Sequence, residues 1–299
     1  MKPDSRLASK IDGKDFIVTA EYLPPAGTST AAVGASAAYL HDGLTAVNSA
    51  DNVNGIAMSS LAASLVLMKA GVEPVYQLVT RDRNRIALES DLLGAAALGI
   101  KNVLCLSGYH QMLTGSPESA NVFDIDSIQL IAAVKKMNEG LLLDGRKIEG
   151  QFSMLIGAVA NPSLKPLELN MIRLRKKIAA GAGFIQTQAV FDVESFKLWL
   201  DAARSEGLTE KAAVLAGVWP LTSTAEAKLL AKNYTDIDIP AGVIARLEKA
   251  GEAEAQEKEG LAICVETVNK LKGLPGLRGI HIMSAGKVAV VPQVIAALK

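Results

Sequence analysis

Residues 73–110, EPVYQLVTRDRNRIALESDLLGAAALGIKNVLCLSGYH, contain a complete strand–helix–strand unit. Residues 74–79 form a short apolar run rich in strand formers, too short for a helix. The charged stretch Thr80-Arg81-Asp82-Arg83-Asn84 breaks it. A helical pattern follows over about 85–98, with Ile86, Leu92, Leu93, Ala96 and Ala97 as its apolar positions and Gly99 as the left-handed residue that closes it. Residues 102–106 are a second continuous apolar strand, ending in Ser107-Gly108-Tyr109-His110. Strands apolar on both faces belong to a buried parallel sheet, in which the loops after the strand C-termini carry ligands.

Working outward, residues 16–22 read as the first strand, stopped by Pro24-Pro25, and 29–40 as an Ala-rich helix. A second strand (44–48) and a helix (58–69) lead into the opening unit. Beyond it, a helix starts near Asp124, capped by Asp124 or Asp126, and runs to about Met137; residues 138–147 read as a loop. Strands are expected at 153–159, 184–188, 212–217 and 277–283, and helices at 168–180, 193–204, 224–233, 241–271 with a break near Gly251, and 288–298. Eight strands each followed by helix, in 299 residues, predict an α/β fold, a (β/α)8 TIM barrel forming a single domain over residues 1–299. A doubly wound sheet would want a Gly-rich first turn. The first turn here is Glu-Tyr-Leu-Pro-Pro, and neither GxGxxG nor GxxxxGK[ST] occurs.

Lys and Arg total 31 and so do Asp and Glu, so the basic excess of a nucleic-acid or membrane-surface protein is missing. The three histidines and two cysteines show no HxxxH or CxxC spacing, and no protein-ligated metal is expected. Cys105 in a core strand and Cys264 on a helix read as free thiols in a reducing cytoplasm. The polar, mixed-charge N-terminus is no signal peptide. The apolar stretch 56–70 is too short, and too interrupted by Ser59, Ser60, Ser64 and Lys69, to span a bilayer.

In a barrel the site lies at the C-terminal strand ends. Those ends supply Glu21, Asn48, Asp51, Asn52, Gln77, Thr80, Arg81, Asp82, Ser107, Tyr109, His110, Asn161, Gln186, Gln188, Asp192, Trp219 and Ser284. Amides and hydroxyls dominate, which suits a flat, heteroatom-rich ligand. Glu21 is an acid in an otherwise apolar strand. Desolvation would raise its pKa and fit it for general acid catalysis, or it could pair with an arginine. Gln188 is either a ligand anchor or a loop tie. His110 either caps its loop or donates to a ligand. The run Arg173 to Lys177 reads as a solvated helix face from which Lys177 could reach an anion.

Three segments carry a resemblance: AEYLPP around Glu21, TRDRNRIALESDLLGAAALGIKNVLCLSG, and above all LRKKIAAGAGFIQTQAVFDVESF (residues 174–196). They resemble methylenetetrahydrofolate reductases, and the TRDRN segment is similar to the branch from anaerobic one-carbon metabolism. The resemblance implies a (β/α)8 barrel that usually holds FAD at the strand C-termini. It implies passage of a hydride from NAD(P)H through the flavin to 5,10-methylenetetrahydrofolate, giving 5-methyltetrahydrofolate, a step that feeds methionine biosynthesis. Tetrahydrofolate would be the carrier of the substrate carbon.

Under the resemblance Glu21 matches the general acid that opens the five-membered ring, Gln188 the glutamine that contacts the pterin, and Lys177 a lysine near the flavin phosphates. Glu21, Gln188 and Tyr109 are then the expected folate-binding residues. Asn48, Asp51, Gln77, Ser107, Tyr109, His110, Arg173 and Lys177 are expected around the cofactor. The chain departs from many members at Tyr109, where an aspartate is common beside the flavin ring. Asn170 and Arg173 replace an aspartate and an asparagine, and Gln77 replaces a histidine. Weakened or absent FAD binding is the expectation. Alternatives are a flavin-free reductase with direct hydride transfer, a methyltransferase barrel serving a corrinoid protein, and a non-catalytic folate-binding or partner subunit. Expected partners are small-molecule folate and nicotinamide, with a homo-oligomer or a partner subunit open.

Overall fold

The computed structural model describes residues 3–234 and 236–298. Eight parallel strands close in chain order into a barrel, a (β/α)8 TIM barrel. They are β1 (Ile17–Tyr22), β2 (Ala46–Ser49), β3 (Pro74–Val79), β4 (Asn102–Leu106), β5 (Leu155–Ala160), β6 (Phe184–Ala189), β7 (Ala213–Val218) and β8 (Leu277–Ile282). The helices are α1 (Arg6–Asp12), α2 (Thr30–Ala37), α3 (Ser60–Lys69), α4 (Arg85–Ala97), α5 (Ser127–Asn138), α6 (Leu167–Ala180), α7 (Val193–Ser205), α8 (Thr224–Asn233), α9 (Ala241–Ala250), α10 (Ala253–Leu271) and α11 (Val291–Ala296). Pairing of Ile17 with Gly279 and of Ala20 with Ile282 seals β1 to β8.

Alternate residues of each strand face the barrel interior, and the interior changes character with height. At the bottom, Ile17, Ala46, Val75, Leu104, Phe184, Ala213 and Leu215 pack into one apolar cluster. One pleat higher stand Thr19, Asn48, Gln77, Gln186 and His281, all buried and all polar. A further pleat up, β1 presents Glu21 and β6 presents Gln188. The same strands thus build a floor and then a polar chamber above it. Outward-facing residues such as Val18, Ala20, Ile280 and Ile282 join the main core beneath the helices.

Some local features match the sequence expectations, as the Asp126 cap and the break at Gly251 do, and others differ. On α4 the buried stripe is Leu88, Leu92 and Ala95, whereas Ile86 is 75% exposed. The helix turns its i, i+4, i+7 row to the core, and Ile86 falls outside that row. Asp126 caps α5 in a reciprocal capping box with Gln129, while Asp124 binds Arg85 at the start of α4. Gly251, at φ +76°, splits the 241–271 pattern into α9 and α10. The final helical pattern resolves into a short 3-10 turn, Val288–Val290, before α11, which has a proline in its first turn.

Helix α1 was not expected from the sequence. Ser5 caps it by accepting from Ala8 N, and Glu73 accepts from the Arg6 and Leu7 amides. At its other end the Arg278 guanidinium donates to the Lys10 and Ile11 carbonyls. So pinned, α1 drives Leu7 (0% exposed) into the apolar floor and stoppers the N-terminal end of the barrel.

Candidate active site at the barrel mouth

Above the polar layer opens a cavity of about 500 Å³, within the size range of small-ligand sites. Its lining includes Glu21, Asp51, Gln77, Ser107, Tyr109, Lys177 and Gln188.

Glu21 stands on β1, held by pairing with Asn48 on β2. Its Oε1 accepts from Gln77 Nε2 at 3.3 Å. Burial raises its carboxyl above the ordinary glutamate range, and the Gln77 hydrogen bond offsets this in part. Ser284 Oγ donates to the Glu21 carbonyl and ties the β8 loop to β1. Beneath Glu21, Asn48 and Gln186 exchange reciprocal amide hydrogen bonds of 2.7 and 3.1 Å. His281 Nδ1 lies 2.9 Å from Thr19 Oγ1 and 3.2 Å from Gln186 Nε2. Burial drives the His281 imidazole down to about 3, so it is neutral. This layer forms a neutral polar base for the chamber.

Across the cavity, Gln188 Nε2 donates to Tyr109 Oη and to Asp236 Oδ2, both at 3.0 Å. Tyr109 Oη donates to the same Oδ2 at 2.9 Å, and Asn161 Nδ2 does so at 3.2 Å. Tyr109 and Tyr234 meet edge to face with ring centroids 5.3 Å apart. Burial first, and then the Asp236 carboxylate, push the Tyr109 phenol up, so it stays protonated. Gly108 makes this loop possible. It adopts φ +83°, and a Cβ there would stand 3.1 Å from Arg81 Cβ.

The other expected residues divide into groups. Asp51 borders the cavity, but its carboxylate is committed to Arg83 (2.7 Å) and to the Val79 amide (3.0 Å). Asn48 is occupied by Gln186 below the chamber. Ser107 Oγ accepts from the Ser127 amide at the start of α5. His110 is exposed, accepts from Met112 N and contacts Asn121, so it caps its own loop. Arg81 is 1% exposed and braces the mouth through Asp82, the Asn52 carbonyl and the Tyr109 carbonyl. Asp192 caps α7.

Arg173 stands apart from the central cavity, in an adjoining pocket of about 210 Å³ with Lys165, Asn170 and Lys177. Lys177 borders both spaces and donates to the Val159 carbonyl. Burial, with help from Arg173, lowers its ammonium to about 8. Asn170 is fully engaged as a structural pin: it donates to the Asn161 and Leu164 carbonyls and accepts from Trp199 Nε1.

Sequence reasoning missed Asp236, Tyr234 and His281 among the cavity groups, and Thr19 in the layer beneath them. Strict alternation along β1 and β8 would have found Thr19 and His281 as inward neighbours of Ile17 and Gly279. Asp236 lies in the α8–α9 loop, 127 residues from Tyr109, and no local signal marks it. Among the described residues, no group of His, Cys, Asp or Glu could hold a metal ion, and no helix is long and apolar enough to cross a membrane.

Residues 6–299 match the sequence profile of the family described as methylenetetrahydrofolate reductase. A Caenorhabditis elegans protein described as "Probable methylenetetrahydrofolate reductase (NADPH)" is 22% identical over 250 residues, 83% of this chain. The "5,10-methylenetetrahydrofolate reductase" of Salmonella typhimurium is 23% identical over 222 residues, 73% of this chain. The aligned region spans 35% of the worm protein and 68% of the bacterial one. A solved structure from Clostridium thermocellum, 16% identical, superposes with a TM-score of 0.68 over 98% of each chain. That protein is described as binding two copies of 5-methyl-5,6,7,8-tetrahydrofolic acid.

Proposed function

The chain belongs to the methylenetetrahydrofolate reductase family, and on that premise we propose that it reduces 5,10-methylenetetrahydrofolate to 5-methyltetrahydrofolate with a hydride from NAD(P)H. The observation that carries the reading is the partly buried Glu21 carboxyl facing the Tyr109–Gln188–Asp236 cluster across one cavity. Desolvation raises its pKa, the direction that favours the protonated, proton-donating form. Glu21 gives that proton to the ring nitrogen that leaves the bridging carbon. The C–N bond breaks, and the resulting iminium carbon accepts the hydride pair to become the methyl group. Gln77 orients Glu21, and the neutral layer of Asn48, Gln186 and His281 adds no competing charge. Gln188 and Tyr109 hold the pterin.

The side pocket fits the diphosphate of a dinucleotide, since Arg173 and Lys177 border it. That chemistry is common to FAD and NAD(P)H, and a dinucleotide bound there supplies or relays the hydride. Beside β4 the fit to a flavin ring is poorer. Tyr109 is bulkier than a carboxylate and is fixed there by Asp236 and Tyr234. This favours weak FAD binding and supports a second reading, direct transfer from the nicotinamide without flavin. The two buried free thiols suit a reducing cytoplasm.

The test is a turnover assay on purified protein with 5,10-methylenetetrahydrofolate and either NADH or NADPH, with and without added FAD. One 5-methyltetrahydrofolate should appear per dihydronicotinamide consumed. No turnover under any of the four conditions would sink the reading and leave the non-catalytic folate-binding alternative.

A further inference from the structure

The floor of the chamber presents a polar atom that the protein leaves to the cavity. His281, on β8, is 4% exposed and lines the chamber. Its Nδ1 is committed, with Thr19 Oγ1 at 2.9 Å and Gln186 Nε2 at 3.2 Å. Its Nε2 has no protein partner among the described residues, and it is not one of the buried polar atoms closed off from solvent. For a side chain inside the barrel, the open space within reach is the chamber.

The network around the ring decides where its proton sits. Gln186 Nε2 donates to Asn48 Oδ1 and to Thr19 Oγ1, while Gln186 Oε1 accepts from Asn48 Nδ2. An amide nitrogen has only hydrogens to offer, so a proton on His281 Nδ1 would face it at 3.2 Å, donor against donor. Nδ1 therefore holds the lone pair and accepts from the Thr19 hydroxyl, which puts the proton on Nε2, the nitrogen open to the chamber. Burial holds the ring neutral. An uncharged N–H donor in such a place suits a ring carbonyl better than a phosphate or a carboxylate.

We propose that His281 Nε2 donates to the ring carbonyl of the pterin, the oxygen beside the nitrogen that becomes the iminium, and so sets the depth and rotation of the ring. The inference rests on the folate reading above and goes beyond it by naming the group that holds the deep edge of the substrate. Strand register supports the division of roles. Thr19 pairs with His281 across the β1–β8 ladder, and Glu21 stands two residues further along β1. Two residues of strand span roughly 7 Å, within the reach of a bicyclic ring. One pterin can then offer its carbonyl to His281 and its bridged nitrogen to Glu21. Neutrality matters here because the intermediate is a cation: an imidazolium this close would oppose the iminium, and a neutral N–H does not. A ring with an amino group in place of the carbonyl would set donor against donor and be rejected.

The experiment records nuclear magnetic resonance spectra of the full chain with isotope-labelled histidine, and measures binding of 5-methyltetrahydrofolate, its amino-for-carbonyl analogue and NADH. The His281 proton should sit on Nε2 at neutral and mildly acid pH, and saturating 5-methyltetrahydrofolate should move it downfield as a new hydrogen bond forms. The parent should prefer 5-methyltetrahydrofolate over the analogue by roughly 10- to 100-fold. His281→Phe, which also assigns the resonance, should lose about 3- to 10-fold in folate affinity and most of that preference, with NADH affinity within about twofold. Because this variant strips Thr19 of its acceptor, its thermal unfolding is measured as well, and the spectra of the unmodified chain decide the matter if it does not fold. A proton on Nδ1, or an Nε2 proton that saturating folate leaves in place, would overturn the proposal, as would an unchanged preference in folded His281→Phe. A parent that binds NADH but no folate would overturn the functional reading itself, and the inference with it.

Discussion

At Glu21, burial and one long hydrogen bond from Gln77 set the protonation state between them, and burial dominates. Because the folded-state pKa lies above the unfolded one, the contribution to stability is full below the ordinary glutamate pKa. It is lost as pH rises through the raised value. Glu21→Gln should therefore unfold at the parent's temperature in acid and at a higher temperature at alkaline pH, read by calorimetry across pH. The same substitution should lower methylenetetrahydrofolate reduction by about 10² to 10⁴-fold and leave folate binding in place, since an amide cannot donate this proton. A rate within threefold of the parent would remove Glu21 from the mechanism. Gln188→Ala should weaken folate by about 1–3 kcal/mol and NADH much less; equal losses in isothermal titrations would make Gln188 a structural tie.

Helix α1 shows how much stability a short element can hold when its ends are pinned. It buries only Leu7 and Ala8, yet Leu7 completes the floor of the barrel. Leu7→Ala should cost about 2–5 kcal/mol in urea unfolding, with the slope unchanged. By contrast, Ile86→Ser on α4 should change stability by less than about 0.5 kcal/mol, because that side chain is 75% exposed. The two residues also show where the sequence was readable. The strands and long helices stood out through apolar runs and caps, and β3 and β4 fell where the pattern placed them. Helix α1 has too few apolar positions to show a period, and its support comes from Glu73 and Arg278, which are distant in sequence. The apolar face of α4 was misjudged because the segment is apolar nearly all round, so its rotation is settled only by what it packs against.

On the scale of the whole molecule, inward and outward strand residues alternate to make two separate interiors, and the inner one is graded from apolar to polar. Glu21, Gln77 and Gln188 were legible as polar residues in apolar strands. Asp236 was not, because its role depends on a tertiary approach of the α8–α9 loop to β4 and β6. The assembly of Tyr109, Tyr234 and Asp236 predicts FAD affinity weaker than about 1 µM. Tyr109→Asp should strengthen it, and titration of both proteins with FAD measures this; sub-micromolar binding by the parent would contradict the expectation. The stoppered lower end of the barrel has a kinetic consequence. With Leu7 and the floor closing the lower end, both ligands reach the chamber from the mouth side, and under direct transfer from the nicotinamide the deeper one has to enter first and leave last. Traffic through such a vestibule is ordered, so an excess of the outer ligand should trap the inner product and slow turnover. Initial rates at rising concentrations of each substrate should show inhibition by one of them and not by the other.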